Sequence, residues 1–135
     1  MKVQLLDLGT VKETEYTRVV CVTRYKEKWI YCKKKGKNTW EIPGGHIEKG
    51  EDWYEAAKRE LYEEAGVIKA NIKPICVYKI SDYALLAFAE VIKMGQLPDF
   101  EMDEVGFFEE EPTSLSYPES HRIFFKVVKE KLGLN

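Results

Sequence analysis

Histidine and cysteine are scarce in this chain. It has 135 residues with two histidines, His46 and His121, and three cysteines, Cys21, Cys32 and Cys76. The cysteine count is odd, no CxxC pair occurs, and each cysteine lies in an apolar, strand-like stretch. That pattern points to buried free thiols in a reducing compartment rather than to a disulfide framework, and the wide separation of the histidines argues against a His/Cys zinc centre. An excess of one charge is missing too. The 21 Lys and Arg against 23 Asp and Glu leave a formal net charge of -2, which does not suit bulk capture of nucleic acid or of an acidic membrane. Long apolar runs are absent: the longest, "YALLAFA" at 83–89, is too short to cross a bilayer. The opening "MKVQLLDLGT" lacks the apolar core of a signal peptide. These absences together lead us to expect a cytoplasmic protein with no membrane partner. No internal repeat, long linker or low-complexity tract breaks the chain, and a hydrophobic fraction of 44% is enough for one core. A single domain over 1–135 is the expectation.

Periodicity and punctuation give the order of elements. "VQLLDLG" (3–9) and "YTRVVCVTR" (16–24) read as strands, and "KWIYCK" (28–33) follows a polar turn as the second arm of a hairpin. A basic loop, "KKKGKN", leads into the extended "WEIP" and then "GGHIEKG", a glycine-punctuated loop. Residues 51–65 read as a helix with Gly66 as its stop. "IKPICVYKI" (72–80) and "YALLAFAEVI" (83–92) are two further strands, 93–103 a loop, "EVGFFE" (104–109) a short strand. A last helix is expected over about 119–132, where Ile123, Phe124, Val127, Val128 and Leu132 recur at helical spacing between Pro118 and Gly133. Strands enclosing one helix, with a second at the end, make a layered α/β domain.

The end of the first helix is electrostatically uncomfortable. "RELYEEAG" at 59–66 puts Glu60, Glu63 and Glu64 in the last turns with no lysine to relieve them. At about 100° per residue, Glu64 falls roughly 40° and Glu63 roughly 60° from Glu60. All three border the apolar face, and the exposed arc holds Glu55, Lys58, Arg59 and Tyr62. The i,i+4 like-charge pair costs roughly 0.2–0.5 kcal/mol. Each carboxylate at the negative end of the helix dipole costs roughly 0.3–1 kcal/mol if exposed, and desolvation adds more. A hard divalent cation, Mg²⁺ with Mn²⁺ as substitute, reverses the sign of the whole cluster and leaves positions open for a phosphate ligand.

From Gly45 the stretch "GGHIEKGEDWYEAAKRELYEEAGV" reads G-x5-E-x7-R-E-U-x-E-E-x-G-U, where U is apolar. It resembles the Nudix box of the Nudix hydrolases, which cleave nucleoside diphosphates linked to another group. Gly45, Glu51, Arg59, Glu60, Leu61, Glu63, Glu64, Gly66 and Val67 fill the defined positions. The resemblance implies the family fold, an α/β/α sandwich around a mixed β-sheet. It implies metal ligation by Glu60, Glu63 and Glu64, with the Gly45 carbonyl and Glu51 assisting, and it makes Arg59 the residue that orients the carboxylates. It also implies a glutamate that takes a proton from the attacking water: Glu63 or Glu64 within the box, or Glu101 or Glu104 in the later stretch "DFEMDEVGFF".

"WEIPGGHIEKGE" is similar to the opening of the box in the MutT-like branch. That favours a nucleoside triphosphate, oxidised bases included, cleaved to monophosphate and pyrophosphate. ADP-ribose, dinucleotide polyphosphates and 5′-triphosphate RNA are the alternatives within the family. A nucleotide-sensing module without catalysis and an isoprenoid diphosphate isomerase are the rivals outside hydrolysis; the complete set of box glutamates argues against both. Lys33, Lys35 and Lys37 of the basic loop are candidates for the substrate phosphates. Tyr78 and Phe88 are candidates for stacking on a base, with Tyr83, Phe107, Phe108 and Tyr117 as further ones, and His46, which follows the glycine pair, is a candidate for lying near the site. No DNA-binding domain is expected, and family members are often dimers, so a homodimer is an expectation.

Overall fold

The structure is a computed structural model, and it describes residues 2–134. Seven strands form one mixed sheet: β1 (Gln4–Leu6), β2 (Arg18–Tyr25), β3 (Lys28–Lys34), β4 (Gly44–His46), β5 (Val67–Lys79), β6 (Tyr83–Met94) and β7 (Met102–Phe108). The order is β1-β5-β6-β2-β3-β7, with β4 also pairing β2. β2 and β6 run parallel and the other pairs antiparallel. Helix α1 (Trp53–Ala65) covers one face and α2 (Pro118–Lys131) the other. The expected α/β sandwich is what forms.

Side-chain alternation along β2 and β6 builds both halves of the core. Val19, Cys21, Leu85 and Ala87 face α1, where Ala56, Ala57, Leu61 and Ala65 meet them. Val20, Val22, Leu86 and Phe88 face α2, where Phe124, Phe125 and Val128 meet them. Burying a side chain such as Leu61 contributes about 2 kcal/mol, and the small alanines beside it let the helix backbone lie close to the sheet. All three cysteines are buried and free. Burial pushes the Cys21 thiol up to about 12, so it stays protonated and inert.

The signals that bound α1 work as their chemistry dictates. Asp52 accepts from the Glu55 N–H at 2.8 Å while Glu55 accepts from the Asp52 N–H at 3.0 Å, a reciprocal capping box. Gly66 sits at φ 70° in the left-handed region, which stops the helix and turns the chain straight into β5. That turn explains why β5 begins at Val67 and not near 72. After the buried Val67, the stretch from Ile68 to Lys73 is exposed or half-buried, so it lacks the apolar density by which a strand is recognised. β1 is shorter than 3–9 because a turn takes over at Asp7, whose carbonyl accepts from the Thr10 N–H at 3.2 Å.

"GGHIEKG" does not start as a loop: residues 44–46 form β4 on β2, with Gly44 opposite Val20 and Gly45 opposite Val19. Glycine carries little strand propensity, but here close approach requires it. A Cβ on Gly44 would stand 2.6 Å from the Val19 carbonyl oxygen and 2.9 Å from the Val20 Cα. This pairing pins the start of the box to the centre of the sheet.

Candidate active site

β4 and the C-terminal half of α1 lie side by side, and this contact assembles the acidic cluster. The Gly44 N–H donates to Glu64 Oε1 at 2.8 Å. A Cβ on Gly45 would run into the Glu60 carboxylate, so glycine is what lets that carboxylate lie against the strand. Burial pushes Glu60 up to about 7 and Glu64 up to about 8. Arg59 pulls Glu60 back down, and the Gly44 hydrogen bond does the same for Glu64. Each also feels the other carboxylates, Glu63 and Glu101 at Glu60, Glu60 and Glu41 at Glu64. The cluster is therefore a set of partly buried carboxyls whose ionisation is costly, through burial first and through one another second.

Arg59 ties the cluster together. It holds Glu51 in a two-pronged ion pair, Nε to Oε2 at 2.6 Å and Nη2 to Oε1 at 3.0 Å. It donates to the His46 carbonyl at 3.0 Å and stands 3.4 Å from both Glu60 and Glu63. Its guanidinium holds the Glu51 carboxyl below the usual range. The helical wheel puts Arg59 on the exposed arc, yet its side chain is only 23% exposed. Its length lets it fold back over β4, which a wheel of Cα directions does not capture.

A cleft of 710 Å³ opens beside this cluster. Its walls include Gly45, Arg59, Glu60, Glu63, Glu64, Glu101 and Tyr78. Of the other residues singled out in the sequence, Glu51 lies behind Arg59 rather than on the wall. Glu104 is on β7 opposite Lys33 and pairs with it at 3.0 Å, away from the cleft. Lys33 also lies over the Trp40 ring, Lys35 pairs with Asp99, and Lys37 is absent from the wall. The lysine that does line the cleft is Lys34, the last residue of β3, where the pairing with β7 shifts register between Lys33 and Lys34. Phe88 is buried in the core, edge-on to Trp29 at 6.5 Å, and reaches no ligand. Residues that sequence reasoning left aside complete the wall: Arg18, Glu41, Ile80, Ser120, His121 and Phe124. A faint signal existed for His121, a polar side chain on the apolar stripe of α2.

Among the described residues, no three His, Cys, Asp or Glu side chains stand close enough to hold a metal ion together. The donor chemistry nevertheless fits a hard cation: carboxylate oxygens, partly buried, already crowded with like charge. Their present partners are Arg59 and the Gly44 N–H, and ligation requires the carboxylates to turn from these toward a common point.

The NUDIX domain family model matches residues 9–111. The chain belongs to the Nudix family. Curated relatives match over less than half of the chain. An RNA pyrophosphohydrolase of Vibrio cholerae is 39% identical over 57 residues, 42% of this chain and 32% of the relative. An 8-oxo-dGTP diphosphatase of Buchnera aphidicola is 47% identical over 47 residues, 35% of this chain and 38% of the relative. The matches thus span about a third of the length of these relatives. Among solved Nudix structures, the Bacillus subtilis pyrophosphohydrolase BsRppH superposes with a TM-score of 0.81 at 25% identity, covering 96% of this chain and 90% of that one. An ADP-ribose pyrophosphatase of Streptococcus suis superposes with a TM-score of 0.66 at 14% identity, covering 84% and 89%, a likeness of fold alone.

Proposed function

We propose that this Nudix protein is a divalent-metal-dependent pyrophosphohydrolase that acts on nucleotide 5′-triphosphates, with the 5′-triphosphate end of RNA as the favoured substrate. The observation that carries this reading is a cleft whose walls hold both the box carboxylates and the aromatic side chains Tyr78, Tyr117 and Phe124. A polyphosphate needs the first and a nucleobase the second. The name shared by several relatives, RNA pyrophosphohydrolase, and the whole-chain likeness to a pyrophosphohydrolase tilt the choice toward RNA. The match to an 8-oxo-dGTP diphosphatase supports a free nucleoside triphosphate as the second reading.

In this proposal Glu60, Glu63 and Glu64 hold the metal, with the Gly45 carbonyl beside them. A divalent ion bound there neutralises the anhydride oxygens and acidifies a water. The chain's own residues do the rest. Arg59 fixes the carboxylate directions through its four partners. Lys34 and Arg18 supply positive charge on the wall for the phosphate chain. A glutamate on the wall accepts the water proton as the water oxygen bonds to phosphorus and the P–O bond to the departing pyrophosphate breaks. Glu63 and Glu101 both border the cleft, whereas Glu104 stands outside it. Among the described residues no helix is long and apolar enough to cross a membrane, and we place the reaction in the cytoplasm.

The test is product analysis with Mg²⁺ on 5′-triphosphate RNA, canonical and oxidised nucleoside triphosphates, ADP-ribose and dinucleotide polyphosphates, with Glu63→Gln as control. Pyrophosphate release from RNA at a higher kcat/KM than from any free nucleotide supports the first reading. A free triphosphate cleaved better than RNA supports the second. Turnover confined to ADP-ribose or dinucleotides contradicts both.

A further inference from the structure

The histidine at the far end of the cleft is held in a single chemical form. The Ile42 backbone N–H donates to His121 Nδ1 at 3.2 Å. A backbone N–H can only donate, so Nδ1 carries a lone pair and, in the neutral ring, the proton sits on Nε2. Burial pushes the imidazole down to about 4, so the ring is neutral at physiological pH. Its orientation is fixed as well, with Tyr117 at 5.4 Å and Phe124 at 5.9 Å between ring centroids. The residue is only 6% exposed, yet it lines the cleft. Nε2 has no hydrogen-bond partner among the described residues and is not among their fully occluded polar atoms.

We propose that His121 is a specificity-determining residue: its Nε2–H reads a hydrogen-bond acceptor on the base lodged against Tyr117 and Phe124, favouring keto bases over amino bases. The inference rests on the nucleotide reading above. Guanine O6 and uracil O4 are acceptors, whereas adenine and cytosine present an amino group at the equivalent edge. A fixed donor meeting an amino group leaves two N–H groups opposed and neither satisfied, and a site built around a hydrogen bond discriminates strongly against a ligand that cannot make it. A residue able to rotate or change tautomer would accept both. The Ile42 contact forbids the change of tautomer, and the flanking rings oppose rotation.

The experiment compares kcat/KM for GTP, ATP, inosine triphosphate and 2-aminopurine riboside triphosphate in the wild type and in His121→Asn. Inosine keeps O6, and 2-aminopurine has lost it. Asparagine can still offer an oxygen to the Ile42 N–H but cannot place a donor where Nε2 stands. In the wild type, guanine and hypoxanthine are expected to be preferred over adenine and 2-aminopurine by about tenfold. In His121→Asn the preference is expected to fall within twofold. Binding of GMP against AMP by calorimetry reads the same preference without turnover, so a wrong assignment of the reaction is separable from a wrong assignment of the donor. Equal use of keto and amino bases by the wild type overturns the proposal. So does a keto preference that survives in a folded His121→Asn. If the variant does not fold, the base analogues on the wild type decide alone.

Discussion

The two ends of the cleft are built in opposite ways. The acidic end comes mostly from one continuous segment, Gly44 to Glu64, whose strand, loop and helix bring their own side chains together, with Glu41 and Glu101 added from outside it. The aromatic end is collected from distant segments: Ile42 before β4, Tyr78 and Ile80 at the end of β5, and Tyr117, His121 and Phe124 on and beside α2. The first holds carboxyls that are costly to ionise, through burial and mutual repulsion, a cost that a bound cation would relieve. The second is packed, neutral and already satisfied except where it faces the cleft. Local assembly suits chemistry that needs fixed carboxylate spacing, and assembly from several segments suits recognition, since each segment can vary alone.

If the acidic end alone performs the chemistry, the largest loss comes from Glu63→Gln. We expect kcat to fall by about 10²–10⁴-fold with an unchanged melting temperature; a variant within threefold of wild type would break the division of labour. Gly45→Ala comes next. Its methyl group occupies the space of the Glu60 carboxylate, and displacing that group by about 1 Å costs on the order of 100-fold in kcat, measured under saturating substrate. At the other end, Tyr117→Ala removes an exposed ring from the mouth of the aromatic wall. Stacking is worth roughly 1–3 kcal/mol per base, so KM should rise about tenfold or more while kcat holds. A fall in kcat with constant KM would place Tyr117 in the chemistry and blur the comparison.

The smallest effect sharpens it. Glu60 and Glu64 have folded-state pKa values of about 7 and about 8, above the 4.5 of an unconstrained glutamate. The metal-free folded protein therefore binds more protons than the unfolded chain across this window, and it loses stability as pH rises from about 4.5 to about 8. A melting series without metal should show that decline. Glu64→Gln should flatten it, and Mg²⁺ at pH 8 should raise the melting temperature of wild type more than that of the variant. A metal-free melting temperature that climbs over the same range would contradict the cost of ionising these carboxyls.

Most of the fold and the acidic end could be read from sequence because their signals are local. Gly66 ends α1 and the three glutamates precede it at helical spacing, whereas the expected start at 51 falls two residues before Trp53, where the Asp52–Glu55 capping pair sets it. What could not be read depends on contacts between segments. β4 hides behind glycines whose reason is the nearness of β2. Arg59 looks exposed until β4 gives it a carbonyl and Glu51 a carboxylate. Lys33, Lys35 and Phe88 are drawn elsewhere by Glu104, Asp99 and Trp29, while Lys34 takes the place on the wall. Nothing in "SYPESHRIF" reveals that Ile42, far away in sequence, sets the tautomer of His121.

The central claim is that the box carboxylates, organised by a divalent ion, break a phosphoanhydride bond. It is tested most directly by pyrophosphate release from a 5′-triphosphate RNA, followed against Mg²⁺ concentration in wild type and Glu63→Gln. The account predicts release that saturates with Mg²⁺ in the wild type and drops by at least about 100-fold in the variant. Release of equal rate in both proteins, or release indifferent to Mg²⁺, would contradict it.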